Sequence, residues 1–302
     1  MSAPLRFRQD STFTIVQFTD THWQNGEEAD QRTRTLMEQV LDQERPDLTV
    51  ITGDLIESLR CDDPAASLRA VLAPLEERGV SWAAVFGNHD SEKGTRADLA
   101  RVMQACRFSL FQPGPSHLSG VGNYFLQILR PRADQPAATL WFFDSGSYAP
   151  FPFGRYEWIH RDQIAWYRRR SARVNAAAGR RCPLPALAFF HIPLPEYRRI
   201  GCSRKRIGSK YERVCAPWIN TGLFRAMVKT GDVTGTFCGH DHVNDFEGDL
   251  RGIRLCYGRA TGYNTYGRES FARGARVIRL HEGERRFETW LRLDDGTVEV
   301  RR

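Results

Sequence analysis

The stretch SWAAVFGNHD, residues 81–90, runs from an apolar segment straight into Gly87-Asn88-His89-Asp90. A short apolar run ended by glycine reads as a buried strand, so these polar side chains are expected at a strand terminus. Working outward, the same grammar recurs. FTIVQF precedes Asp20-Thr21-His22, DLTVIT precedes Gly53-Asp54, LAFF precedes His191, and the weaker VTGTFC precedes Gly239-His240-Asp241-His242. A lone DxH or GD is an ordinary turn or cap signal, and a lone strand-end histidine is commonly structural. Five such motifs in order, each behind a strand, point instead to a cation site built at one sheet edge.

The residue types fit two cations. Divalent ions held close together repel, and an anion between them lowers that cost; Asp54 is the natural bridge, able to give one oxygen to each. Asp20 and His22 would complete one side. In an extended segment the spacings Asp20-x-His22 and His240-x-His242 place both side chains of each pair on one side. Asn88 offers a neutral oxygen, which leaves net positive charge for an anionic ligand. Imidazole and oxygen donors without thiolate suit Mn, Fe or Zn better than Mg or Ca.

Composition allows this reading. The chain has 302 residues, 41% hydrophobic and 26% charged, as a globular protein with an ample core does. Because the motifs run from Asp20 to His242, one domain covering residues 1–302 is expected. No apolar stretch approaches the roughly 18–20 residues that span a bilayer, and no membrane association is expected. The polar start MSAPLRFRQDST has no hydrophobic leader core, so a cytoplasmic location is the expectation unless a leader was trimmed. Seven cysteines without a CxxC pair suggest reduced, structural thiols; Cys202 and Cys215 flank a basic loop and could bridge in an exported protein. A net charge of +7 suits any phosphorylated ligand and selects none by itself.

Strands are expected near 13–19, 47–52, 81–86, 123–130, 139–144, 187–191, 233–238, 252–257, 275–281 and 286–293, with helices over 29–45, 64–78, 160–178 and 217–230. The order β-α-β-α-β followed by a strand-rich half predicts two mixed sheets packed face to face with helices outside, an α/β class. Trp141, Trp158, Trp166 and Trp218 are expected in the core.

These residues carry a resemblance. Together with WFFDSGSY (141–148), FFHIPLPEY (189–197), GHDHVNDF (239–246) and LCYGRATGYNTYGRESFARGARVI (255–278), they make the chain similar to calcineurin-like metallophosphoesterases. It most resembles the branch holding fungal cell-cycle phosphatases and plant proteins called inactive purple acid phosphatases. The resemblance implies a four-layer α/β/β/α sandwich with a dinuclear site. One metal falls to Asp20, His22, Asp54 and His242, and the second to Asp54, Asn88, His191 and His240. His89 is implied to reach the phosphate and protonate the leaving oxygen or stabilise charge, oriented by Asp90, while metal-activated hydroxide attacks. Purple enzymes have a tyrosine three residues after the bridging aspartate; Glu57 stands there, so no purple colour is expected, and Glu57 reads as a solvated loop residue rather than an outer partner.

Phosphomonoester hydrolysis is therefore the expected activity, on a phosphoprotein or a small phosphorylated metabolite. Phosphodiester hydrolysis and a non-catalytic binding module are the alternatives. RRIGCSRKRIGSKYERVC (198–215) carries seven Lys or Arg against one acid shortly after His191, and Arg204, Lys205 and Arg206 are candidate phosphate contacts. The resemblance implies that Asn220 and Tyr263 line the pocket, and Asp144-Ser145-Gly146, at the end of another strong strand, is expected to hydrogen-bond a ligand histidine. Nothing in the spacing forms a nucleic-acid-binding motif, so no dedicated nucleic-acid partner is expected.

Overall fold

The computed structural model describes residues 4–177, 179 and 182–300. In chain order it contains β1 (Thr12–Phe18), α1 (Glu28–Glu44), β2 (Leu48–Thr52), α2 (Pro64–Glu77), β3 (Trp82–Val85), α3 (Arg96–Ala105), β4 (Tyr124–Arg130), β5 (Ala133–Phe142) and α4 (Arg161–Ala177). There follow β6 (Ala186–Phe189), α5 (Tyr197–Gly201), α6 (Leu223–Thr230), β7 (Val233–Cys238), β8 (Glu247–Leu250), β9 (Ile253–Tyr257), β10 (Gly274–His281), β11 (Phe287–Leu293) and β12 (Val298–Val300). Residue 178, the expected end of the helix over 160–178, lies outside the described residues.

The strands form two six-stranded sheets, β12-β11-β10-β1-β2-β3 and β4-β5-β6-β7-β9-β8. β1, β2 and β3 are parallel, joined by α1 and α2 as parallel neighbours require. β5, β6, β7 and β9 are likewise parallel. Parallel strands deliver their carboxyl ends to one edge, where ligand sites of open α/β sheets lie.

Alternation of side chains along the strands separates two cores. Phe142, Phe189 and Phe237 join Phe18 and Val50 in the core of the first sheet, with adjacent rings of this ladder stacked 5.3 Å apart. Leu36, Met37 and Val40 of α1 and Leu68, Val71 and Leu72 of α2 belong to the same core. The alternate residues Trp141, Ala188 and Phe190 meet Trp166 and Tyr167 of α4 and Met227 of α6 in a second core. Each such buried aromatic or aliphatic side chain contributes about 1.5–3 kcal/mol relative to exposure. Together these layers make an α/β architecture of two mixed sheets with helices against them.

Several expectations need correction. α3 was not anticipated, although Thr95 caps it by accepting the Asp98 amide at 3.1 Å, a Thr-x-x-Asp box. α6 is confined to Leu223–Thr230, because Gly222 ahead of it is left-handed (φ 96°). β5 starts before Pro136; it pairs with β6 only from Thr139, so the proline breaks no ladder on that side. β8 is an edge strand of sequence EGDL, poor in β-formers, and β12 is only three residues long. Trp141 and Trp166 are buried and Trp158 is half-buried, whereas Trp218 is 74% exposed. No helix among the described residues is long and apolar enough to cross a membrane.

Candidate metal centre

The turns after β1, β2, β3, β6 and β7 converge, and two buried groups of side chains meet there: Asp20, His22, Asp54 and His242, and Asp54, His191 and His240. Asp54 belongs to both. Its Oδ2 lies 3.0 Å from His191 Nε2 and 3.6 Å from His22 Nε2, while Oδ1 accepts the His89 amide at 2.8 Å. The carboxylate therefore turns one oxygen toward both groups, where the sequence suggested one oxygen for each. Across the centre His22 Nε2 and His242 Nε2 are 3.3 Å apart, and His240 Nδ1 and His191 Nε2 are 3.2 Å apart.

Outer partners aim the rings. His191 Nδ1 donates to the Thr52 carbonyl at 2.8 Å, which turns Nε2 toward the centre. His22 Nδ1 meets Glu57 Oε2 at 2.7 Å, and His242 Nδ1 contacts the Thr265 hydroxyl. Imidazole nitrogens and carboxylate oxygens brought this close together suit a shared cation. Asn88 Oδ1 is buried with no hydrogen-bond partner among the described residues, while Asn88 Nδ2 donates to Tyr148 Oη at 3.1 Å. An orphaned buried acceptor needs an explanation, and a cation supplies one.

The backbone reaches this arrangement through strain. Asp20, His22, Asp54 and His240 all have positive φ, at 53°, 44°, 47° and 78°. Asp20 and His22 thus share a side through left-handed turns, contrary to the extended-strand expectation. Neighbouring glycines follow from crowding: a Cβ on Gly87 would sit 2.1 Å from Asp54 Oδ1, and one on Gly239 1.9 Å from Thr19 Oγ1.

Charge is concentrated. Burial opposes ionisation of Asp20, yet its contact with His242 and the charges of His242 and His191 hold it down to about 2. Asp54 is likewise driven well below its usual range by His191, His22 and His89 against the effect of burial. Burial favours neutral His89, but Glu57, Asp54 and Glu92 outweigh it and raise the imidazole to about 10. Its Nδ1 lies 3.0 Å from Glu92 Oε2 and 3.2 Å from Glu57 Oε1. His89 is accordingly a pinned imidazolium rather than a group poised near neutral pH.

Two second-layer expectations change. Asp90 does not orient His89: its Oδ1 accepts the Ile56 amide and its Oδ2 the Gly87 amide, which tie the β2 and β3 turns together. Glu57 is no solvated loop residue; it is half-buried and spans His22 and His89. Its offset from Asp54 was the available signal. Asp144 pairs with Arg96, and Ser145 Oγ accepts the Ile192 amide at 2.9 Å, so this segment steadies the backbone beside His191 without touching its ring.

The expected substrate contacts are also redistributed. Arg204 and Lys205 are exposed, and Arg206 donates to the Gly201 carbonyl at 2.6 Å. Asn220 binds Glu196 Oε1 at 2.8 Å, and Tyr263 Oη binds Asp294 at 2.5 Å beneath the Arg32 guanidinium. None of these five lines the large cavity next to the centre, which Arg155, Tyr156, Arg198, Lys210 and Arg213 do. Tyr156, missed in the sequence, packs its ring 4.3 Å from that of His240, and Tyr266, in the segment 262–266 that the resemblance brings to the pocket, packs 4.3 Å from His242. Cys202 and Cys215 border that cavity as free thiols.

A calcineurin-like phosphoesterase family model matches residues 13–244, from β1 through the last histidine turn. The chain belongs to the calcineurin-like phosphoesterase family. Its relatives include "Probable inactive purple acid phosphatase 29" of Arabidopsis thaliana, 35% identical over 98% of this chain and 86% of that one. "Phosphatase DCR2" of Saccharomyces cerevisiae is 34% identical over 98% of this phosphoesterase, which spans 56% of the yeast protein's length. Among solved structures, a dimetal phosphatase from Danio rerio superposes with a TM-score of 0.63 at 15% identity, over 92% of this chain and 98% of that one, a likeness of fold. The family supports a phosphoric ester hydrolase with a His/Asp cluster able to bind metal.

Proposed function

We propose that this phosphoesterase is a dinuclear-metal-dependent phosphomonoesterase acting on a phosphoprotein or a small phosphorylated metabolite. The observation that carries the reading is Asp54, whose single inward oxygen faces His22 in one ligand group and His191 in the other. Asp20, His22, Asp54 and His242 would hold one cation and Asp54, Asn88, His191 and His240 the second, with Mn, Fe or Zn favoured by the donors. Such cations, when bound, acidify water and offset phosphoryl charge. The chain's own part is to place charge and a proton. His89 Nδ1 is held by Glu57 and Glu92, which leaves Nε2 to donate to a phosphoryl or leaving oxygen. Asp90 acts as a positioning residue through the Gly87 and Ile56 amides.

The inactive label of the plant relatives is not carried over, since all seven ligand-type residues and His89 are present here. Residues 1–302 are taken as one domain, because β10, β11 and β12 complete the sheet begun by β1, β2 and β3. Phosphodiester hydrolysis is the second reading, favoured by the open cavity beside Tyr156, which has room for another ester group. The test is turnover of matched aryl phosphate monoester and diester after reconstitution with Mn, Fe or Zn separately, with Asp54→Asn as the blank. A monoester preference is expected. A diester preference would move the assignment to phosphodiesterase, and no Asp54-dependent turnover of either would favour a non-catalytic module.

A further inference from the structure

Many cations of this chain are matched by carboxylates: Arg96 by Asp144, Arg254 and Arg276 by Glu247, Arg259 by Asp245 and Arg292 by Glu44. The wall beside the metal centre is built otherwise. Arg155, Arg198, Lys210 and Arg213 line one cavity of about 450 Å³, and none of the four forms an ion pair with a carboxylate among the described residues. Arg198 is steadied by the Ala216 carbonyl at 2.5 Å, and the Arg155 guanidinium lies 5.3 Å from the Tyr156 ring centre. Four like charges around one concavity repel each other and focus a positive potential into it, an arrangement relieved by a bound anion. Arginine and lysine together are the usual phosphate-binding pair.

The cavity's position ties it to the chemistry. Tyr156 lines it on one side and packs its ring 4.3 Å from the His240 ring on the other. The Cys215 amide, from the same wall, donates to Asp241 at 3.2 Å, within the His240–His242 turn. An occupant of the cavity therefore shares Tyr156 with the metal-ligand ring of His240. Trp218, 74% exposed, also lines the cavity and offers a face to a carbon skeleton. A volume of about 450 Å³ is that of a small-molecule site rather than a peptide groove. A neutral second ester group would have no use for four cations.

We propose that this cavity binds the second phosphate of a small bisphosphorylated metabolite whose first phosphate lies at the metal centre. The proposal rests on the phosphomonoesterase reading. Water adds to the phosphorus at the centre, the ester oxygen leaves as an alcohol after taking up a proton, and the products are inorganic phosphate and an alcohol that still carries the second phosphate.

The experiment compares kcat/KM of the metal-loaded enzyme for a short series of alkanediol bisphosphates with that for the matching monophosphates, in the wild type and in R155Q/R213Q. Charge-assisted hydrogen bonds predict a wild-type preference for the best bisphosphate of roughly 10- to 100-fold, largely lost in the double variant. Calorimetric binding of that bisphosphate to Asp54→Asn protein, with and without R155Q/R213Q, supplies a readout independent of turnover, and weakening by about tenfold is expected. Turnover without preference, together with binding indifferent to the two arginines, overturns the proposal and leaves the phosphomonoesterase intact. Arginine-dependent binding without turnover of either substrate supports the cavity assignment and sinks the phosphomonoesterase. An arginine-dependent preference for an acidic phosphopeptide over every bisphosphate overturns the small-molecule assignment.

Discussion

The rim made by the turns after β1, β2, β3, β6 and β7 and the wall made by residues 155–156 and 198–218 lie side by side, yet different forces hold them. On the rim nearly every polar atom has a second obligation: Asp20 accepts the His240 amide and the Thr19 hydroxyl, Asp54 the His89 amide, and the rings of His22 and His191 are fixed from behind by Glu57 and Thr52. On the wall Arg155, Arg198 and Arg213 are exposed and have no carboxylate partner among the described residues. Groups that must keep sub-ångström geometry are over-determined by burial and hydrogen bonds. Groups that select a ligand keep charge uncompensated until the ligand arrives.

Breaking the rim should therefore cost far more than breaking the wall. Asp54→Asn removes the shared anion while an amide oxygen can still accept the His89 amide; metal content and turnover should both fall to background, with circular dichroism unchanged. Retention of either metal by that variant would contradict a shared ligand. His89→Ala should keep metal and slow hydrolysis by roughly 10²- to 10⁴-fold, the scale of a proton donor, and full activity would remove His89 from the chemistry. Glu57→Gln leaves one acceptor for two ring N–H groups and should lower metal affinity or activity by roughly 10- to 100-fold. Wild-type behaviour there would return Glu57 to the status of a surface residue. Smallest of all, R155Q/R213Q should shift stability in urea by no more than about 0.5 kcal/mol, because surface substitutions away from packed features are near neutral. A larger loss would mean that the wall supports the fold as well as the ligand.

Much of the rim was legible because its signals are local. A strand that ends in Gly-Asp, Gly-Asn-His-Asp or Gly-His-Asp-His announces both the strand terminus and the ligand types, and Gly87 and Gly239 are explained by side chains that leave no space for a Cβ. The second layer was harder to read. Tyr148 reaches Asn88 from a separate loop, and Tyr266 reaches His242 across more than twenty residues. The basic loop was recognised as a whole, but its central Arg204-Lys205-Arg206 lies off the cavity while its ends, Arg198, Lys210 and Arg213, line it with Arg155 from a distant loop.

The α/β alternation, the strand termini and the candidate donor types could be read from the chain alone, because periodicity, glycine punctuation and ligand chemistry are properties of a few adjacent residues. Tertiary structure alone decided that Asp54 shows one oxygen to both groups, that left-handed turns rather than strand alternation bring Asp20 and His22 together, and that Glu57 grips two histidines. It also decided which arginines share a cavity. Those outcomes depend on how two sheets stack and where their loops cross, and that geometry is set by packing between residues far apart in the chain.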